Sequence, residues 1–259
     1  MKMFNLFYTL EEKFKHVFLL NLSTRKDRRE IMIKQLKDFG LHESFTQDEL
    51  DIRTTVPFKK YNSIIMHVLN QNKIGRLTKP NEYDCTHNHY SMIKQAYDQG
   101  YEYCLIMEDD IRFYNNKDVW EDYLKNIPED FDILQFGGFT TDPNIKKYLI
   151  DNDKFKPMWF KHPDVPVWNA SMYALSRKGM EYYLEFIDKF LWVADGPLYS
   201  AARDRQDLNT YLCNIPLVIQ EDKNIDSSDI RDKQNDNIDY NTQNMYEYDV
   251  NRIMYWKMK

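Results

Sequence analysis

Apolar positions along the chain fall into short unbroken runs separated by amphipathic stretches, the alternation expected of an α/β protein. Val17–Leu22 (VFLLNL) is a nearly continuous apolar run of strand length, the pattern of a strand covered on both faces. The polar turn Ser23-Thr24-Arg25 follows, and Met32, Leu36 and Phe39 then recur at i, i+4 and i+7. That spacing predicts a helix from about Lys26 to Phe39, with Gly40 as its stop. Strand, turn and helix in this order make half of a parallel βαβ unit.

The same grammar recurs downstream. Ile64, Ile65, Val68 and Leu69 share one helical face, and the stripe Cys85, His89, Met92, Ala96 predicts a helix from Glu82 to Gln99 closed by Gly100. Tyr103–Met107 (YCLIM) reads as a second buried strand and runs directly into Glu108-Asp109-Asp110. Phe131–Phe136 (FDILQF) reads as a third, ending in Gly137-Gly138, and Ala170–Leu175 (ASMYAL) as a fourth. Ser176 stands as the N-cap of a helix with Met180, Tyr183, Leu184 and Ile187 on its inner face. Leu217–Ile219 is a short strand after Pro216. The expected architecture is a mostly parallel central sheet flanked by helices, spanning residues 1–220. Residues 221–259 read as a polar C-terminal loop and a short terminal helix. Glu221–Asp249, rich in Asp, Asn and Gln, reads as a loop, lid or tail. Arg252–Lys259 reads as a short terminal helix packed on the domain, or one touching a membrane surface.

Charge narrows the function classes. Lys and Arg number 35 against 41 Asp and Glu, a net charge of −6. This argues against a protein that binds by blanketing phosphates with cations, although a local basic groove is compatible with it. Three cysteines (Cys85, Cys104, Cys213) without a CxxC pair do not form a closed disulfide framework, so a reducing compartment is expected. No apolar run reaches the length of a membrane span, and Met1–Leu10 meets Glu11 and Glu12 without a cleavage site. The expected location is cytoplasmic, with peripheral membrane contact as an option.

The richest chemistry lies in Glu108-Asp109-Asp110 at the carboxyl end of a buried strand, where open α/β sheets bind ligands. Adjacent carboxylates repel, so a fold that keeps them together supplies a cation or strong hydrogen bonds, unless the triplet is a solvated turn. Hard oxygen donors suit Mg²⁺ or Mn²⁺ carrying a diphosphate. Arg28 and Arg29 open the first helix, against its dipole, and either bind an anion or face water. Asp195-Gly196-Pro197 sets a carboxylate at a turn, as a general base or as a helix N-cap. His89 is a core residue or a ligand, and Cys85 reads as packing.

Taken in order, several stretches resemble glycosyltransferase family 25. They are Asn21-Leu22 with Arg28-Arg29, Glu82 and Cys85 with His89, LIMEDDI (Leu105–Ile111) and DILQFGG (Asp132–Gly138). SMYALSRKGMEYYL (Ser171–Leu184), Asp195 and IPLVIQ (Ile215–Gln220) complete the set. The resemblance implies a GT-A-like, Rossmann-type fold, a nucleotide-sugar donor of the UDP-sugar type, and Mn²⁺ or Mg²⁺. It assigns Asp110 to the metal and Glu108 to the ribose hydroxyls, with Asp109 able to exchange roles with either. Asn21, Leu22, Arg28, Glu82, His89, Gly137 and Gly138 are then donor-binding residues. Trp168, Asn169, Ser171 and Gln220 are expected near the substrate, and Asp195 as the base of an inverting transfer. The implied acceptor is a hydroxyl of a glycan, a lipooligosaccharide or another lipid-linked sugar. A protein hydroxyl or a modified DNA base would use the same chemistry, and a non-catalytic sugar- or partner-binding domain is a further alternative. Two departures stand out. Asn81-Glu82-Tyr83-Asp84-Cys85 lacks both glycines of the family's Gly-Glu-x-Gly-Cys, and no histidine follows His162, which excludes a late histidine metal ligand.

Overall fold

The computed structural model describes residues 14, 16–38, 50–55, 80–114, 116–138, 159–161, 167–190, 192–214 and 216–220. The expected helical face at Ile64–Leu69, Phe39-Gly40 and the extension 221–259 lie outside the described residues. In chain order the elements are β1 (Val17–Leu22), α1 (Lys26–Asp38), β2 (Leu50–Thr55), α2 (Pro80–Asp98), β3 (Tyr103–Glu108), β4 (Ile111–Phe113) and α3 (Lys117–Lys125). They continue as β5 (Ile133–Gln135), β6 (Trp159–Lys161), β7 (Met172–Ser176), α4 (Arg177–Phe190), α5 (Gly196–Asp204), β8 (Thr210–Cys213) and β9 (Val218–Gln220). None of the described helices is long and apolar enough to cross a membrane.

The class is α/β as expected, but the sheet is mixed rather than mostly parallel in its pairing. Seven strands lie in the order β2-β1-β3-β7-β5-β8-β6. β2, β1 and β3 pair in parallel, as do β5 and β8. β7 is antiparallel to both β3 and β5, and β6 is antiparallel to β8. Five strands therefore share one direction, with β7 inserted against them and β6 closing the edge against them. A short apolar run buries both faces in either direction, so hydropathy alone did not reveal the reversal.

Both faces of the sheet are covered. Along β1, Val17 and Leu19 join a core with Met107, Trp120 and Phe136, while Phe18 and Leu20 join the opposite one with Ile106, Tyr173 and Tyr183. This is the period-two alternation of a strand with apolar side chains on each face. Met180, Tyr183, Leu184 and Ile187 of α4 are buried, as the stripe required. Ser176 is the last residue of β7 and also caps α4, its Oγ accepting from the Gly179 N–H at 3.2 Å. Gly100 ends α2 with a left-handed φ of +77°, its N–H donating to Tyr97 O at 3.0 Å.

A small second sheet frames the chemistry. β4 follows the acid triplet and pairs antiparallel with β9, setting Ile111 opposite Gln220. Gln35 of α1 clamps β4: its Nε2 donates to Ile111 O at 3.0 Å and its Oε1 accepts from Phe113 N at 2.9 Å. On the other side, the N–H groups of Leu217 and Val218 donate to Phe136 O at 2.8 and 3.2 Å. Gly137 makes this crossing possible, because a Cβ there would stand 2.4 Å from Val218 O. Gly137→Ala is expected to cost about 1–3 kcal/mol of stability by forcing these backbones apart. Chemical denaturation measures it, and an unchanged midpoint would contradict the close approach.

Candidate active site

The shared direction of β1 and β3 brings their carboxyl ends to one edge, where the amino end of antiparallel β7 also lies. There Glu108 N donates to Ser171 O at 2.8 Å, tying the acid triplet to the segment before β7. Asn21, Glu108–Asp110, Asn169, Ser171, Asp195 and Gln220 converge here, together with Arg28, Cys85 and His89 from the first two helices.

The three acids are not equivalent. Asp109 is buried and accepts from Asn21 Nδ2 at 2.6 Å and from Arg28 Nη1 at 3.1 Å. Asn21 also bonds Arg25 O, so the β1–α1 turn and the triplet are one unit. Arg28 Nη1 is thus engaged by Asp109 and lies 3.9 Å from Asp110 Oδ2. This pairing explains why a cation tolerates a helix start. Arg29, by contrast, is exposed. Burial raises the Asp109 carboxyl above the usual range, against the lowering effects of Asn21 and Arg28.

Asp110 and Glu108 face each other across Gln220, whose Nε2 lies 3.3 Å from Asp110 Oδ2 and 3.5 Å from Glu108 Oε2. Asp110 Oδ1 is buried with no hydrogen-bond partner among the described residues. Burial and the charge of Glu108 push the Asp110 carboxyl up to about 7, while Arg28 pulls the other way. A half-buried acid with one buried, orphaned oxygen beside a second carboxylate has the donor chemistry of a hard-cation site.

Glu108 has a second set of neighbours. Its Oε1 lies 3.1 Å from His89 Nε2 and 3.8 Å from Cys85 Sγ. His89 is fully buried and its Nδ1 lies 2.8 Å from the Tyr173 hydroxyl. Burial pushes the Cys85 thiol well up, with further contributions from Glu108, Asp195 and Asp110. Cys85, read from the sequence as packing, therefore stands beside the acid triplet. The signal for it was its i, i+4 spacing to His89 on one helix face. Tyr173 gave none, being one apolar-looking position of a buried strand.

Asp195 stands at the N-cap position of α5 but caps nothing with its side chain. Its Oδ2 instead accepts from Asn169 N at 3.2 Å. Asn169 holds a left-handed φ of 117°, and its Oδ1 accepts from both the N–H and the hydroxyl of Ser171. Gln135 at the end of β5 donates to Asn169 O at 3.3 Å. Thr86 of α2 reaches Trp192 O at 2.9 Å, fixing the segment before Asp195 to the helix that carries Cys85 and His89.

The remaining expectations fare unevenly. Trp168 is half-buried and stacks on Tyr199, ring centroids 4.5 Å apart. Leu22 ends β1 half-buried, and Glu82 lies in the first turn of α2. Gly137 and Gly138 are buried against the protein's own chain: a Cβ on Gly138 would meet Val167 at 2.5 Å and Trp168 O at 3.1 Å. At both positions the lack of a side chain admits a neighbouring segment of the chain, Val218 at Gly137 and Val167 at Gly138.

Residues 14–195 match the family model described as glycosyltransferase family 25 (LPS biosynthesis protein). The chain belongs to glycosyltransferase family 25. Procollagen galactosyltransferase 2 of Homo sapiens is 31% identical over 108 residues, covering 39% of this chain and 16% of that protein. The Mus musculus protein of the same name is 27% identical over 124 residues, 47% of this chain and 19% of its own length. The chain spans less than a fifth of these relatives. In this family 25 chain, the β1–α1 turn, the acid triplet and Asp195 all fall inside the matched segment, whereas Gln220 lies beyond it.

Proposed function

We propose that the chain is a metal-dependent inverting glycosyltransferase of the GT-A type, moving a hexose from a UDP-sugar to a hydroxyl of a glycan or lipid-linked acceptor. The observation that carries this reading is the half-buried pair of Glu108 and Asp110, with an orphaned, buried Asp110 oxygen and Asp195 on the neighbouring segment. Five co-directional strands with helices on both faces support the GT-A assignment. The relatives' names favour galactose as the sugar.

The roles follow from chemistry. Asp110, with Gln220 on its other oxygen, would hold Mn²⁺ or Mg²⁺, and Glu108 would accept from the ribose hydroxyls. Held there, such an ion would supply positive charge against that developing on the leaving diphosphate. Asp109 positions the triplet through Asn21 and Arg28 and binds nothing directly. Asp195 takes the proton from the acceptor hydroxyl as it attacks the anomeric carbon from the face opposite the diphosphate. Asn169 holds that carboxylate with its backbone N–H, and Ser171 locks Asn169. The flat pair Trp168–Tyr199 offers an apolar face to a sugar ring.

Thermal denaturation tests the donor site. Mn²⁺ and UDP together, at about 100 times their dissociation constant, should stabilise by about 2.7 kcal/mol. In a chain of this size that is a melting shift of about 5–10 °C. A screen for nucleoside diphosphate release, with mass measurement of the product, then identifies donor and acceptor. Binding without turnover over a broad acceptor panel would instead indicate a non-catalytic domain. The absence of any shift with every nucleoside diphosphate would sink the proposal.

A further inference from the structure

We propose that Cys85, His89 and Glu108 form a second cation site, one that takes a soft divalent ion of the Zn²⁺ type, next to the hard-cation site at Asp110. One thiol sulfur, one imidazole nitrogen and one carboxylate oxygen lie within 4.8 Å of one another. Zn²⁺ binds such mixed donors at about 2.0–2.3 Å, which sets ligand atoms some 3–4 Å apart around a tetrahedron. The His89–Glu108 and Cys85–Glu108 separations of 3.1 and 3.8 Å already fall in that range. Cys85 and His89 share a face of α2, and Glu108 meets them from the end of β3, so two packed elements hold the donors in place.

The second ring nitrogen is already engaged: His89 Nδ1 lies 2.8 Å from the Tyr173 hydroxyl, the kind of outer partner that orients a metal-bound imidazole and leaves Nε2 for the ion. Cys85 Sγ stands beside the same Glu108 oxygen as Nε2, so the three donors face one another across a single gap.

On binding, the Cys85 thiol releases its proton to solvent as the sulfur–metal bond forms, and the ion supplies the charge that burial denies the bare thiolate. The softer donor set separates this site from that of Asp110: sulfur and imidazole select Zn²⁺ over Mn²⁺ or Mg²⁺. On the reading that Glu108 serves the donor ribose, which the inhibitory consequence rests on, Zn²⁺ draws this carboxylate away and slows transfer.

Co²⁺ titration of the full chain tests the site without donor or turnover. One equivalent should produce a near-ultraviolet sulfur-to-cobalt charge-transfer band, displaced by Zn²⁺. Cys85→Ser should abolish the band, while Cys104→Ser and Asp110→Asn should keep it. No band, or one that survives Cys85→Ser, would overturn the proposal. Should Cys85→Ser fail to fold, X-ray absorption of the zinc-loaded wild type decides: one sulfur at about 2.3 Å supports the site, and a shell of nitrogen and oxygen alone removes it. In transfer assays with Mn²⁺ present, Cys85→Ser should raise the half-inhibitory Zn²⁺ concentration at least 10-fold, and equal sensitivity would refute the inhibitory role. The cobalt spectrum does not depend on the donor assignment, so the two readings can fail separately.

Discussion

Asp110→Asn should abolish most transfer, by about 10²–10³-fold or more, while making the cation-free protein more stable. The two effects share one cause. Burial and Glu108 push the Asp110 carboxyl from 3.8 to about 7, so the folded protein holds an unfavourable charge at neutral pH. At 1.36 kcal/mol per unit the shift corresponds to roughly 4 kcal/mol. Water reaching a side chain that is 19% exposed leaves about 1–3 kcal/mol of it. Asparagine keeps an oxygen for Gln220 and removes the charge, raising the melting temperature by about 3–10 °C. The sign is fixed by linkage. The folded state retains the proton to higher pH than the unfolded state, so wild-type stability falls as pH rises from about 4 to about 7 and levels off above. The variant should lack this slope. In the wild type, the stabilisation by Mn²⁺ with UDP should grow over the same interval, because the cation competes with the proton. Melting curves from pH 5 to 8, with and without Mn²⁺ and UDP, measure each part. Retained activity would remove Asp110 from the donor site, and a lowered melting temperature would refute the electrostatic account.

Asp195→Asn should lower kcat by about 10²–10⁴-fold, the range for loss of a general base. An amide oxygen can still accept from Asn169 N, so the turn, the stacked Trp168–Tyr199 pair and the start of α5 should persist. Donor KM and UDP affinity should therefore stay within about 2-fold, placing the loss in the chemical step. Asp195→Ala is the contrasting variant: it also releases the Asn169 N–H and should lower the melting temperature. Normal turnover by Asp195→Asn would remove the carboxylate from catalysis and leave it the role of holding Asn169.

Elements with a long, regular stripe were the most legible. α1, α2 and α4 fall where the spacing of Met32 and Leu36, of His89, Met92 and Ala96, and of Met180, Tyr183 and Leu184 puts them. Strand ends were less so. β5 is confined to Ile133–Gln135, inside the apolar run from Phe131 to Phe136, because pairing with β7 and β8 ends before the hydrophobicity does. β9 begins one residue later than its apolar run and takes in Gln220, a polar residue whose side chain reaches the acid pair. The direction of β7 was hidden for a related reason: strand polarity is set by which neighbours it meets, and these lie some 40 to 70 residues away in the chain.

The site shows the same division. From sequence alone came the acid triplet, its place at a strand end, the candidate Asp195, and the shared helix face of Cys85 and His89, because each is a matter of residue type and local spacing. Tertiary structure decided which acid does what. Arg28 and Asn21 engage Asp109, Gln220 arrives from 110 residues downstream to Asp110, and His89 is held between Glu108 and the Tyr173 hydroxyl. Local propensities act over a few bonds, whereas the charge and hydrogen-bonding state of a buried group depend on every side chain the fold carries to it.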